Sequence, residues 1–202
     1  ALQHRGPDEH GLAVFDDAVL GNARLSIIDP VGGHQPLYGP ERTTALVCNG
    51  EIYGHHRIRA QHPEYPFTTG SDCEVALTLY HEHGDQFLPH LPGTFALALW
   101  DDRRRTLLLA RDRFGERPLY YATTDDGLLA FASESRALRV AGFGGVSPDP
   151  AMVAEMLRQG YVPSGRSIWS DVTGVPHASR LILRRDQSPL VERWWTPPEV
   201  GP

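Results

Sequence analysis

The feature that most limits what this chain can fold into is that its apolar segments come in pairs, each pair joined by a short acidic turn. GLAVFDDAVLGNARLSIID (11–29) holds two such runs around Asp16 and Asp17. GTFALALWDDRRRTLLLARDRFG (93–115) holds two more around Asp101 and Asp102, with Phe95, Leu97 and Leu99 alternating onto one side, and PLYYATTDDGLLAFASE (118–134) a third pair around Asp126 and Gly127. Short apolar runs with Asp or Gly between them fold back on themselves as hairpins. TTALVCNGEIY (43–53) reads as another strand, ending in an Asn-Gly turn, and 167–195 returns to strand character. Helices are few. HHRIRAQH (55–62) is a short one. The segment 71–91 contains a longer one, with Ser71 and Glu74 as a capping box and Val75, Leu77, Leu79 and Tyr80 as its apolar positions. DPAMVAEMLRQG (149–160) carries Pro150 in its first turn and Gly160 at its end. GFGGV (142–146) reads as a loop after a helix. Hairpins with a few clustered helices predict an α+β domain with antiparallel sheets, not alternating βαβ units.

The chain has 202 residues, enough to bury a sizeable core. No apolar run approaches the length of a membrane span, and the formal charge of −6 argues against a nucleic-acid partner. All basic residues are arginine; without lysine there is neither a Walker A loop nor Schiff-base chemistry in these residues. Cys48 and Cys73 form no CxxC pair and make no zinc site alone. HEHGD (81–85) lacks the second His of a zinc-protease helix, so His55, His56, His81 and His83 read as solvated surface residues, and no metal is expected.

Three features together suit a free amino acid that carries a side-chain amide. A carboxylate is held by the planar fork of an arginine, and Arg24 ends a strand in NARLSIID. An ammonium needs a carboxylate, and Asp72 stands in the first turn of GSDCEV. A carbonyl under attack needs donors where charge develops, which the Asn49 side chain and the Gly50 N–H can supply. Singly, each has a plainer reading: a surface Arg, an Asp serving a helix dipole, a hairpin turn.

Eight stretches appear in order, HRGPDEHG, NARLSIIDP, GGHQPLY, NGEIY, GSDCEVAL, LPGTFALALWD, ARDRFGERPLYY and FASESRAL. In this the chain resembles the glutaminase (class II glutamine amidotransferase) domain of glutamine-hydrolysing asparagine synthetases, over residues 2 to about 195. The resemblance implies the N-terminal-nucleophile hydrolase fold, a four-layer αββα sandwich of two antiparallel sheets, here without its first strand. It implies a domain over 1–195 and a linker over 196–202. The activity implied is hydrolysis of glutamine to glutamate and ammonia for an ATP- and Mg-dependent synthetase domain in the same parent chain. By motif, Arg24 matches the residue that holds the glutamine α-carboxylate, with the main chain of Leu25, Ile27 and Ile28 beside it. Asn49 and Gly50 match the oxyanion hole. Glu51 and Asp72 match substrate contacts, Asp72 taking the α-ammonium. His4, Arg5, Gly6, Pro7 and Asp8 match a supporting loop near the nucleophile. That nucleophile is an N-terminal cysteine upstream of Ala1; Cys48 and Cys73 read as packing residues. No cofactor is implied within this domain, a cytoplasmic setting fits, and a homodimer is compatible. Two departures stand out: Gly54 where the family places Asn, and VPHAS (175–179) where a Pro-Pro-Gly turn is usual. The competing reading is an inactive domain of the same fold that docks a synthetase-like partner.

Overall fold

The computed structural model describes residues 1–144 and 147–199. All three predicted hairpins form. The first joins β1 (Glu9–Val14) to β2 (Val19–Arg24), closed where Phe15 N–H donates to the Ala18 carbonyl. The second joins β5 (Gly93–Asp101) to β6 (Thr106–Arg111), and the third β7 (Tyr120–Thr123) to β8 (Leu129–Ala132), turning at Gly127 with φ of 87°.

A six-stranded antiparallel sheet carries the molecule. Its order is β11 (Leu190–Arg193), β10 (Ser179–Arg184), β6, β5, β4 (Thr44–Ile52) and β3 (Leu37–Tyr38). One face, with Leu46, Cys48, Phe95, Leu97 and Leu99, packs against α1 (His55–Gln61) and α2 (Val75–His83) through Ile58, Val75, Ala76 and Leu79. The other face, with Ala45, Val47, Ala96, Ala98 and Trp100, packs against Ala13 and Leu20 of the first hairpin and against Leu119 and Val175. The second β layer stands in two pieces, β1–β2 and the three-stranded sheet β8–β7–β9 (Thr173–Gly174). Outside that sheet, α3 (Ser135–Val140) covers Ala122, Ala130 and Ala132 through Leu138. The result is the α–β–β–α layering, with period-two alternation in β4, β5 and β7 sending one set of side chains to each interlayer core. α4 (Pro150–Gln159) starts at Asp149, whose side chain accepts from the N–H groups of Ala151 and Met152, and ends at left-handed Gly160.

Two local readings are corrected. Asn49–Gly50 is not a turn: β4 runs on to Ile52, with Asn49 opposite Ala96 and Gly50 opposite Phe95. The chain turns instead at Gly54, with φ of 63°, a conformation open to Gly and tolerated by Asn. Ser71 and Glu74 do not form a capping box. Residues 72–74 are a 3₁₀ turn in which Ser71 makes no side-chain cap, and Glu74 points back into the protein. The tail 196–199 has no regular structure, and 200–202, like Gly145 and Val146 of the glycine loop, lie outside the described residues.

Gly50 is where the strand assignment can be checked. A Cβ there would overlap the Thr94 carbonyl and lie 2.7 Å from Phe95 Cα, both backbone of the adjoining strand. Backbone cannot swing aside as a side chain can, so Gly50→Ala is expected to destabilise by about 2–3 kcal/mol and to lower Tm by about 4–12 °C. Thermal denaturation followed by circular dichroism reads this; an unchanged Tm means that Gly50 is not inside the ladder.

Candidate active site

A cavity of about 590 Å³ opens between the six-stranded sheet and the broken second layer. Arg24, Leu25, Ile27, Ile28, Asn49, Gly50, Glu51 and Asp72 all line it, as do His4 and Arg5 of the N-terminal loop. Residues far apart in sequence therefore meet, each brought by a separate device.

Arg24 ends β2 facing inward, 8% exposed. Nη1 donates to Glu9 Oε2 at 3.2 Å, and Nη2 to the carbonyls of Ile28 and Asp29 at 2.8 Å each. Three of its five N–H groups are thus spent on holding it still, and two remain for a ligand. Glu9 accepts in addition from His34 Nδ1 at 2.6 Å. Burial alone would raise the Glu9 carboxyl, but the hydrogen bonds from His34 and Arg24 outweigh it and hold the group below its ordinary 4.5. Leu25 and Ile27 are exposed on the lip, and Glu51 is an exposed rim residue.

Asp72 is 3% exposed, and its Oδ2 accepts the Ile52 N–H at 2.7 Å. The turn before it is built by Glu74. That carboxylate is fully buried and accepts from the N–H and hydroxyl of both Thr68 and Thr69 and from Arg59 Nη2. Asp29 joins the two loops: its carboxylate takes the N–H of Gly32 at 2.9 Å and of Gly70 at 2.7 Å. Those backbone bonds, Gly32 first, hold it below the usual carboxylate range. One side chain therefore ties the segment under Arg24 to the segment leading into Asp72.

The donors lie on β4. Phe95 exchanges its N–H and C=O bonds with Asp112, on the β6 side. Gly50, opposite Phe95, therefore turns its own N–H away from β5. Residues of the same parity confirm the direction: Cys48 N–H goes to Gln35 Oε1 and Ile52 N–H to Asp72 Oδ2, both at 2.7 Å. β3 pairs β4 only as far as Leu46, so the Gly50 N–H opens onto an edge no strand covers. The Asn49 side chain shares the inward face of Val47, and its Nδ2 is shut off from solvent without a hydrogen-bond partner. A buried unpaired amide donor is costly unless something completes it.

In the N-terminal loop, His4 and Arg5 share Glu134. Gly6 lies so close to the Ala23–Arg24 backbone that a Cβ would overlap it. Beyond Pro7, Asp8 accepts the Ser26 N–H at 2.9 Å. Cys48 and Cys73 are free and buried; the Cys48 contact and burial push the Cys73 thiol well up, which suits packing and not attack. Among the described residues no group of three or more His, Cys, Asp or Glu could hold a metal, and no helix is long and apolar enough to cross a membrane. His56 and His81 are exposed, but His55 is half-buried, with Nδ1 sealed and unpartnered and its pKa lowered by burial and by His56. Sequence reasoning gave no role to Glu9, Asn22, Asp29, Gln35, Arg117 or Glu134, although each is within or beside the cavity or its supports. Their only signal is membership of the eight stretches: Asp29, Gln35, Arg117 and Glu134 lie outside the strands and helices, and a polar residue inside a strand, like Glu9 or Asn22, does not by itself mark a site.

The profile of the glutamine amidotransferase domain matches residues 1–195. The chain belongs to that family. It is 48% identical over 137 residues to asparagine synthetase [glutamine-hydrolyzing] 2 of Arabidopsis thaliana, covering 68% of this chain and 24% of that protein. It is 48% identical over 138 residues to asparagine synthetase B [glutamine-hydrolyzing] of Escherichia coli K12, covering 68% and 25%. The chain thus matches about a quarter of the length of these relatives. The glutamine phosphoribosylpyrophosphate amidotransferase of Bacillus subtilis has a similar fold, with a TM-score of 0.58 at 22% identity over 81% of this chain and 32% of that one. This amidotransferase domain has the expected α+β sandwich, and the family membership rests on nearly all of its length.

The Glu9 arrangement has a measurable consequence. A carboxylate whose folded pKa is depressed adds stability above its unfolded value and loses it as pH falls through the folded one. The excess stability of the protein over Glu9→Gln is therefore expected in full above about pH 4.5 and to fade below it. Paired thermal melts from pH 7 to 3 read the difference; a gap that widens on acidification contradicts the assignment.

Proposed function

We propose that the intact protein hydrolyses glutamine to glutamate and ammonia in this cavity and delivers the ammonia to an ATP- and Mg-dependent synthetase part of the same chain. The observation that carries the reading is the sealed, unpaired Asn49 Nδ2 beside the outward Gly50 N–H. Two donors one residue apart suit one oxygen that gains negative charge. Arg24 and Asp72 line the same cavity, offering a cation for the α-carboxylate and an anion for the α-ammonium. A docking module has no use for an unpaired donor at the wall of a cavity.

In this reading a cysteine thiolate attacks the side-chain carbonyl, with its own free α-amine as base. The C–N bond breaks, ammonia leaves carrying the transferred proton, and water releases glutamate from the thioester. Neither cysteine of these residues serves, since both are buried in the α2 interface. The nucleophile is assigned to an N-terminal cysteine preceding Ala1. Leu25, Ile27, Ile28 and Glu51 would frame the substrate. The relatives' names give asparagine as the product, and adding ammonia to reach asparagine makes aspartate the acceptor in this reading.

In the intact protein, Arg24→Ala should raise KM for glutamine by at least tenfold, because it leaves a substrate carboxylate unpaired. Asn49→Ala should lower glutamine turnover by about 10²–10³. Synthesis fed with free ammonia should persist in both. Unchanged glutamine kinetics in both variants would sink the site; equal loss of the ammonia-fed reaction would make the lesions structural.

A further inference from the structure

We infer that Asn22 reads the amide nitrogen of the substrate, and so makes this site select a carboxamide over a carboxylate. The inference rests on the proposed glutamine hydrolysis and adds a residue to it.

Asn22 lies on β2, two residues before Arg24 and two after the buried Leu20, so its side chain points inward with both of theirs. It lines the same cavity as Asn49. Its amide orientation is set by a chain of bonds. Gln35 donates Nε2 to the Cys48 carbonyl at 3.0 Å and accepts the Cys48 N–H on Oε1, which determines which end of the Gln35 amide is which. Asn22 Nδ2 then donates to that Oε1 at 3.2 Å. Opposite Asn22 on β1, Gly11 leaves room for this: a Cβ there would run into the Gln35 carbonyl. What remains is Asn22 Oδ1, an acceptor sealed from solvent with no partner.

The cavity wall therefore holds an unpaired acceptor, Asn22 Oδ1, and an unpaired donor, Asn49 Nδ2, on inward faces of the two β layers; Arg117, which also lines it, has a further unpartnered donor in its Nε. Both asparagines line the same cavity of about 590 Å³, a volume in the range of small-molecule sites. A carboxamide completes both: its carbonyl accepts from Asn49, and its NH₂ donates to Asn22. A carboxylate has no N–H, so its second oxygen would face the lone pairs of Oδ1. Glutamine fits, and glutamate, once formed, fits worse. Sites that hydrogen-bond a substrate N–H discriminate strongly against analogues lacking it, because the buried partner is left unpaired.

The test compares glutamine with the γ-methyl ester of glutamate, which keeps the side-chain carbonyl and both α-groups but offers no side-chain N–H. In the intact protein, Asn22→Leu, nearly isosteric, is expected to lower kcat/KM for glutamine about tenfold while changing it less than twofold for the ester. Asn22→Ala carries the same expectation should the leucine pack badly. An equal loss on both substrates, or no loss on glutamine, overturns the role of Asn22. A wild-type protein inert towards both substrates overturns the parent reading instead, and this one with it.

Discussion

One edge of β4 governs the rest. Its residues 48, 50 and 52 turn their N–H groups away from β5, and past Leu46 no strand receives them. Buried backbone donors must find acceptors, or the fold bears the cost. The chain answers with side chains: Gln35 stands in for a strand at Cys48, and Asp72 does so at Ile52. Between them Gly50 is left open to the cavity. The same device that completes the sheet thus places a carboxylate and an unused donor side by side.

Charge then holds the surrounding loops. Glu74 gathers the Thr68–Thr69 segment, Asp29 bridges Gly32 and Gly70, and Glu9 fixes the Arg24 guanidinium. Bonds to ionised groups are stronger than neutral ones and lose less to water where burial keeps it out. None of these carboxylates need touch a substrate. Their effect is to give Arg24 and Asp72 fixed positions in the wall of one cavity, so that the site does not first have to order itself.

The hairpins were legible because period-two alternation and acidic turns are local properties: Asp16, Asp101 and Gly127 stand where their chains reverse. The helix over 150–159 was legible for the same reason, through Asp149, Pro150 and Gly160. Where a local signal met a longer-range demand, it lost. Asn49–Gly50 has the wording of a turn, yet pairing with Ala96 and Phe95 carries the strand through it, and only the closeness of Thr94 explains the glycine. Ser71 and Glu74 have the spacing of a cap, yet Glu74 serves Thr68, Thr69 and Arg59.

The sequence by itself determined the class of fold, the family and the residue types of the site, since these follow from alternation, turn chemistry and the wording of eight ordered stretches. It could not show that Asn22 and Asn49 leave one acceptor and one donor unpaired in the same cavity. That depends on which way each amide faces, and the direction is set by Gln35 and the backbone of Cys48, thirteen residues apart in the chain and joined only when β4 meets its edge. Hydrogen-bond completion is a property of the assembled layers, and only the tertiary structure decides which groups are left over for a ligand.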